Sequence, residues 1–319
     1  MSYAIEARDL RKSFGGVEAA KGIRLQVEQG ELFALLGPNG AGKTTTVHML
    51  STLLKPDGGT ARVAGYDVVK EARDVRKRIS VTGQFAALDD RLTGLDNLFL
   101  IGRLYGYSKK EARSLAEELI ASFGLEEAGH RAVDTYSGGM RRRLDIAASV
   151  VHRPELLFLD EPTTGLDPES RMQVWETVRL LLKLGTTVVL TTQYLEEADR
   201  LADRVAVLHR GTVIAEGTPD QLKASIGSKT LSIRLTELRD GEQETIDRLL
   251  ANEYQLTACP DADPLVYKIP APEADMAVHI LHKLVEHGVP VGRFSLDEPT
   301  LDEAFLALIR SGRREEDAT

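Results

Sequence analysis

The sequence predicts an α/β fold: a mainly parallel sheet covered on both faces, carrying a helical insert and followed by a smaller α+β domain. Three observations predict it. Short all-apolar runs at 32–36 and 156–159 are bounded by turn residues or acids and read as strands buried on both faces. Such runs alternate with stretches of helical spacing, the pattern of strand–helix–strand crossovers. Near residues 218–228 the pattern resets, and a second set of strands and helices begins.

Taken in order, 4–10 and 23–27 read as strands, then 32–36, then a helix inside 42–53 that stops before the turn Lys55-Pro56-Asp57-Gly58-Gly59. Short strands are expected at 62–64 and 79–82. Residues 95–105, 109–123 and 139–152 have helical spacing and form the insert, about 88–152. Strand 156–159, helix 171–184, strand 186–191 and helix 195–201 follow, then a hairpin, 205–208 with 212–216, around His209-Arg210-Gly211. The first domain is expected over 1–222 and the second over 226–310, with strands at 231–235, 265–269 and 289–295 and helices at 244–252, 274–287 and 301–309. The polar tail 311–319 is expected to be disordered.

Composition bounds the function. The 319 residues are 42% hydrophobic and 28% charged, with a formal net charge of −9. An acidic chain does not suit general nucleic-acid binding, which needs clustered Lys and Arg to neutralise phosphates. The one dense basic run, Arg141-Arg142-Arg143, lies in a helical pattern and reads as a solvated helix face. A single cysteine, Cys259, excludes an internal disulfide and a Cys-rich metal site. It reads as a small filler or surface thiol, His48 as a packed or partly exposed side chain, and Trp175 as helix packing. The start has no signal-peptide pattern, and no run reaches the roughly 18 apolar residues needed to span a bilayer. Membrane work would need another chain.

Gly37-Pro38-Asn39-Gly40-Ala41-Gly42-Lys43-Thr44 matches G-x-x-x-x-G-K-[ST]. Glycines let the backbone curl and aim its N–H groups at phosphates. Lys43 places a cation on the β- and γ-phosphates, Thr44 offers a hydroxyl to Mg²⁺, and the helix containing Thr45 directs its positive end at the same anion. From average residue frequencies a chance match is about a 1% event in a chain this long. The loop also follows an apolar strand and opens a helix, as its mechanism requires. Nucleoside triphosphate binding and hydrolysis follow. Downstream, the strand at 156–159 ends in Asp160-Glu161. Asp160 is placed to hold Mg²⁺ and Glu161 to polarise the attacking water.

A phosphate loop alone leaves kinases, GTPases and motors open. Tyr136-Ser137-Gly138-Gly139-Met140 narrows the field: a Ser-Gly-Gly turn opening a helix is a second anion site, and it stands about 20 residues before Asp160. With it, residues 4–220 resemble the ATP-binding subunits of ABC transporters. The resemblance implies that Phe14 stacks on adenine. Gln84 would touch Mg²⁺ and sense a membrane partner. Ser137, Gly138 and Gly139 would form the family signature, and Thr164-Gly165-Leu166-Asp167 the loop that communicates across a dimer. It implies ATP and Mg²⁺ as ligands, with two copies paired head to tail and ATP on one phosphate loop capped by Ser137 and Gly139 of the other. A separate transmembrane permease would meet the insert at Gln84 and 86–106. The location implied is the cytoplasmic face of the cell membrane.

One position departs from the family. Gln193, in LTTQYLEEAD, stands where most members carry a histidine at the γ-phosphate; glutamine can donate a hydrogen bond but cannot become cationic. That residue, with YSGGMRRRLDIA and the Pro299–Leu306 stretch PTLDEAFL, resembles the daunorubicin-resistance group of drug exporters. Thr300 and Glu303 in that stretch also fit a helix capping box. The domain from 226 to 310 shows no catalytic constellation and reads as regulatory or dimerising. The expected function is the ATPase motor of an exporter of amphipathic, drug-like molecules or lipids. The alternatives are a soluble ABC-type ATPase acting on ribosomes or DNA, which usually has two cassettes or long inserts, and an importer motor.

Overall fold

The computed structural model describes residues 3–83, 88–225, 229–237, 241–260, 263–271 and 273–316. The chain divides into two compact units, Met1–Pro219 and Asp220–Thr319.

The first unit opens with an antiparallel hairpin, β1 (Tyr3–Phe14) and β2 (Val17–Glu28). Strand β3 (Leu32–Leu36) leads into α1 (Lys43–Leu50). The chain continues with β4 (Gly58–Val63), β5 (Tyr66–Asp67), α2 (Ala72–Arg76) and β6 (Ile79–Thr82). The insert consists of α3 (Gly94–Leu104), α4 (Lys109–Ser122), a 3₁₀ turn at Val133–Thr135 and α5 (Gly138–Ser149). Then come β7 (Leu156–Asp160), α6 (Pro168–Lys183), β8 (Thr187–Thr192), α7 (Leu195–Leu201), β9 (Arg204–His209) and β10 (Thr212–Gly217). Helix α8 (Pro219–Ala224) stands at the division.

The principal sheet has the order β10-β9-β3-β8-β7-β6. Its pairings are parallel except at the edge, where β10 runs antiparallel to β9. Every residue of β3, β7 and β8 is buried, as strands covered on both faces should be. The strand period sorts their side chains. Phe33, Leu35, Leu156, Phe158 and Val189 pack with α1 and with residues of β1, β2 and β4. Leu32, Leu157, Leu159, Val188 and Leu190 pack on the opposite face against residues of α3 to α7.

The expectation for 4–10 and 23–27 needs correction. These strands are 12 residues each and belong to a second, antiparallel sheet of order β2-β1-β4-β5. One face of the principal sheet is therefore covered largely by another sheet, not by helices alone. Exposed Arg11, Ser13 and Glu18 sit in the extended parts; polar residues on the solvent side of a strand dilute the apolar signal that marks its ends.

The second unit contains β11 (Thr230–Leu235), α9 (Glu242–Leu249), a π turn (Leu250–Tyr254), β12 (Cys259–Pro260), β13 (Val266–Pro270), α10 (Ala274–Glu286), β14 (Val291–Asp297) and α11 (Leu301–Glu316). Its antiparallel sheet has the order β12-β13-β11-β14. Leu231, Ile233 and Leu235 of β11 pack against Ile246, Leu249 and Leu250 and against Ala277, Ile280 and Leu284. Helix α11 begins at the expected capping box. Thr300 N–H donates to Glu303 Oε2 at 3.0 Å, and Glu303 N–H donates to Thr300 Oγ1 at 3.2 Å. The helix runs on through Glu316, so most of the stretch expected to be disordered is helical; residues 317–319 lie outside the described residues. A stretch too polar to bury gives no apolar period, so nothing in it marks the continuation.

Phe158, fully buried at the centre of β7, supports a stability prediction. Phe158→Ala should lower the unfolding free energy by about 3–5 kcal/mol. The measurement is urea unfolding followed by far-UV circular dichroism, where the midpoint falls and the slope stays the same.

Candidate active site

The C-terminal ends of β3, β7 and β8 lie side by side, and the candidate groups stand there. Beyond Leu36, Gly37 N–H donates to Thr192 O at 3.2 Å, which ties the phosphate loop to the end of β8. Pro38 O accepts from Ala41 N–H at 3.1 Å, and Ala41 O accepts from Gly211 N–H at 3.0 Å. Asn39 and Gly40 are exposed at the loop tip. Gly42 is the N-cap of α1 with φ 102°; no side chain caps the first turn and no acid lies in it. A Cβ on Gly42 would stand 2.4 Å from Ala19 O, so that position needs glycine twice over. The first-turn N–H groups, Thr44 and Thr45 among them, form an anion site.

Lys43 is 4% exposed. Its Nζ donates to Gly37 O at 2.7 Å and Pro38 O at 3.2 Å and stands 3.5 Å from Glu161 Oε1. A buried ammonium in the curl of the loop is a fixed positive charge aimed at what the loop holds.

Asp160 ends β7 beside Thr191 of β8. Thr191, fully buried, donates its hydroxyl to Asp160 Oδ1. Thr44 Oγ1 donates to the same oxygen at 3.3 Å. Two oxygen donors at this spacing suit a hard cation such as Mg²⁺. Glu161 breaks away from the strand with φ 46°, rare for a non-glycine residue. Its N–H is shared between Thr191 O and Thr191 Oγ1, both at 3.1 Å. Its Oε2 accepts from Thr164 Oγ1 at 3.2 Å, while Oε1 faces Lys43. The turn thus aims a carboxylate back at the phosphate loop.

Gln193 directly follows β8 and is half-buried. Phe14 closes β1 at the hairpin end, 50% exposed, with Lys12 Nζ 5.7 Å from its ring centroid. The same hairpin brings Ala19 against the phosphate loop, so an exposed aromatic platform stands on the strand pair that touches it. Gln84, with 85–87, lies outside the described residues.

The Ser-Gly-Gly turn opens α5. Ser137 is its N-cap and accepts from Met140 N–H at 3.3 Å; Ser137 and Gly138 are exposed. Gly139 is buried, and a Cβ there would meet Ser170 Oγ at 2.5 Å. Asp167 caps α6, with Oδ1 accepting from Ser170 N–H at 2.9 Å and Oδ2 from Ser170 Oγ at 2.7 Å. The Ser170 backbone N–H, then its hydroxyl, hold the Asp167 carboxyl below its ordinary pKa. Asp167, Ser170 and Gly139 are therefore one packed unit. Among the described residues, no hydrogen bond joins Ser137, Gly138 or Gly139 to the phosphate loop.

Comparison with known proteins gives the family. Residues 20–164 match the ABC transporter family, and residues 217–309 match the "ATP-binding protein DrrA1-3-like, C-terminal domain" family. The daunorubicin/doxorubicin resistance ATP-binding protein DrrA of Streptomyces peucetius is 54% identical over 96% of this chain and 92% of its own length. The chain belongs to the ABC transporter ATP-binding proteins, in the DrrA-like group. The doxorubicin resistance ATP-binding protein DrrA of Mycobacterium tuberculosis is 46% identical over 96% of this chain and 93% of its own. Among solved structures, an ABC transporter ATP-binding subunit is 29% identical at TM-score 0.62, covering 70% of this chain and 93% of that one. A dimeric ATP-binding cassette in a post-hydrolysis state with ADP and Pi is 25% identical at TM-score 0.60, covering 67% and 98%. As an ABC cassette, this chain binds ATP and is an ATPase of the kind that dimerises and works with a separate membrane subunit. No helix among the described residues is long and apolar enough to cross a membrane.

The cassette also uses residues the sequence did not single out. Thr191 positions both acids. Glu197, on α7, is fully buried; its Oε1 accepts from Thr163 Oγ1 at 2.8 Å and Trp175 Nε1 at 3.0 Å. Burial pushes its pKa up, and the hydroxyls of Thr192 and Thr163 and the Trp175 N–H pull it back. Trp175 is thus more than packing. The reading of Arg141-Arg142-Arg143 as a solvated face is corrected. Arg141 pairs with Asp90 at 2.6 Å, Arg142 reaches inward, and Arg143 Nη1 donates to Phe123 O and Gly124 O, each at 3.0 Å. Successive helical residues point about 100° apart, so three adjacent arginines cannot share one face. Thr191 is marked by Asp160, 31 positions away, and Glu197 by Thr163 and Trp175, 34 and 22 positions away, and a linear pattern does not supply such partners.

Thr191→Val keeps shape and removes the hydroxyl. Losing that buried partner should cost about 1–3 kcal/mol, read as about a 5- to 150-fold fall in ATP turnover. Equilibrium binding of a fluorescent ATP analogue should stay within about threefold.

Proposed function

We propose that this cassette is the motor of an efflux system, in which ATP closes two copies head to tail and hydrolysis releases them. The observation that carries the reading is Glu161: held in a left-handed turn, it faces Lys43 at 3.5 Å across the mouth of the phosphate loop. In this reading the backbone N–H groups of Asn39, Gly40 and Gly42–Thr45, within the loop Gly37–Thr45, hold the phosphates and Lys43 neutralises the β- and γ-oxygens. Phe14 stacks on the base. Gln193 donates a hydrogen bond to the γ-phosphate and takes no proton. Thr44 and Asp160, joined by Gln84, hold Mg²⁺, which supplies charge neutralisation at the phosphates. Glu161 accepts a proton from water as the water oxygen bonds to the γ-phosphorus and the bond to the bridging oxygen breaks, releasing ADP and phosphate.

Ser137, Gly138 and Gly139 face the ATP of the second copy, with Asp167 in the loop between the two sites. Their exposed helix start, unbonded to the chain's own phosphate loop, supports that arrangement. ATP then stabilises the closed state only, which is what a population shift requires. The partner is a separate permease, whose cytoplasmic segments meet the insert and keep the motor at the inner face of the membrane.

The cargo is read as an amphipathic, drug-like molecule or lipid. Relatives named for daunorubicin/doxorubicin resistance, for linearmycin resistance in Bacillus subtilis (37% identical) and for Nod factor export in Paraburkholderia xenovorans (44% identical over 72% of this chain) support that class. The two domains are proposed at 1–222 and 226–310. The second is read as regulatory or dimerising; the edge strand β14 with exposed Phe294, beside exposed Val278 and Val285 of α10, supports it.

Three variants test the chemistry. Glu161→Gln should lower kcat at least about 100-fold while ATP-dependent dimers accumulate in size-exclusion chromatography; retained turnover excludes Glu161 as the base. Lys43→Ala should abolish ATP binding in a filter or fluorescence assay. Gln193→Ala should lower kcat about tenfold, and wild-type turnover there removes Gln193 from the mechanism.

A further inference from the structure

Arg142 lies in the second turn of α5, on the helix that opens with Ser137-Gly138-Gly139. Its side chain is 14% exposed, and all three guanidinium nitrogens are committed. Nε donates to Pro162 O at 3.0 Å and Nη2 to Asp160 O at 3.2 Å. Nη1 donates to Gly83 O at 3.1 Å and Asp145 Oδ2 at 3.0 Å.

The targets are specific. Asp160 and Pro162 are the residues on either side of Glu161, whose φ is 46°. A non-glycine residue in that region is strained and persists only where its surroundings over-determine it. Here Thr191 holds the Glu161 N–H, and Arg142 holds the two flanking carbonyls. Gly83 O belongs to the residue just past β6 and just before Gln84, so the same guanidinium also fixes the end of a second strand. A planar fork with five donors can meet three diverging carbonyls and a carboxylate; a lysine ammonium at the end of a flexible stem cannot. Burial lowers the Arg142 pKa, and the Asp145, Asp160 and Glu197 carboxylates draw it back up.

We propose that Arg142 is a positioning residue, which holds the Glu161 peptide in its left-handed turn and ties that turn to the Ser137-Gly138-Gly139 end of the same helix. This rests on the reading of Glu161 as the base. A ligand seated on Ser137 and Gly139 bears on α5 and, through Arg142, on the carboxylate of that chain's own site. In a head-to-tail pair, the ATP bound at one site would thus steady Glu161 at the other.

The test uses the full-length protein and four variants: Arg142→Lys, the double variant Arg142→Met with Asp145→Leu, Ser137→Ala, and Ser137→Ala with Arg142→Lys. The Met/Leu pair removes both buried charges together, because deleting one would leave the other unpaired. Steady-state kcat, the dissociation constant for ATP without divalent cation, and the thermal midpoint are measured for each. The expected result is a kcat at least tenfold lower in Arg142→Lys and in the double variant, with ATP affinity within threefold and the midpoint close to the parent's. In the cycle, Ser137→Ala and Arg142→Lys should act non-additively on kcat. Wild-type kcat in either folded Arg142 variant overturns the proposal, as does a kcat loss matched by equal losses of affinity and midpoint. Strict additivity overturns the tie to Ser137. Glu161→Gln is run alongside: if it keeps turnover, the reading of the base fails and this proposal with it; if it is inactive, an active Arg142 variant defeats this proposal alone.

Discussion

Strand β8 lies between β3 and β7, and the register of those two pairings decides where every group of the site stands. Leu36 pairs with Thr192, so the phosphate loop begins at the last residue of β8. Asp160 pairs with Thr191, so the acid that ends β7 lies one residue back along the same strand. A slip of one residue between β7 and β8 would turn the Thr191 hydroxyl away from Asp160, and one between β3 and β8 would shift the phosphate loop relative to both. Parallel pairing matters as much as register. It brings the C-terminal ends of β3, β8, β7 and β6 to one edge, where a helix start, two carboxylates and a glutamine can share a single ligand.

Charge at that edge is arranged rather than abundant. A chain with net charge −9 has no general attraction for a triphosphate. What it offers at that edge instead is backbone N–H groups, the start of α1 and the buried Lys43, all in place without a ligand. The two acids are tolerated because each is claimed: Asp160 by Thr191 and Thr44, Glu161 by Lys43 and Thr164. Behind them Glu197 and Arg142 bury charge against hydroxyls, carbonyls and an indole N–H, and unmaking any one of these would leave a polar group stranded. Rigidity at the site and the left-handed turn at Glu161 are two results of the same buried network.

Legibility followed physical range. The loop Gly37–Thr44, the acids Asp160-Glu161, the turn Ser137–Gly139 and the capping box Thr300/Glu303 are local patterns whose chemistry is complete within a few residues, and each stands where its pattern placed it. The buried strands β3, β7 and β8 and helices α3 to α7 were legible because burial writes a period into the sequence. The hairpin β1–β2 was half legible, since its solvent side carries charges. The continuation of α11 was not, because it has no apolar stripe to reveal it. Asp167 shows a subtler gap. Its place in the motif was clear, but its helix-capping bonds to Ser170, and the packing of Ser170 on Gly139, join residues about 30 positions apart.

The sequence by itself determined that this protein grips a triphosphate, which loop and acids are the candidates for the grip, and that a second small domain follows. These depend on short-range backbone geometry and on the two periodicities of secondary structure. Only the tertiary structure decided that one face of the principal sheet rests on an antiparallel sheet, that Thr191 governs both acids, and that the middle arginine of three turns inward to hold the strand ends. Such contacts form between segments far apart in the chain. Each side chain's role then depends on which carbonyl or carboxylate the fold brings within about 3 Å of it, and no spacing along a single strand or helix encodes that.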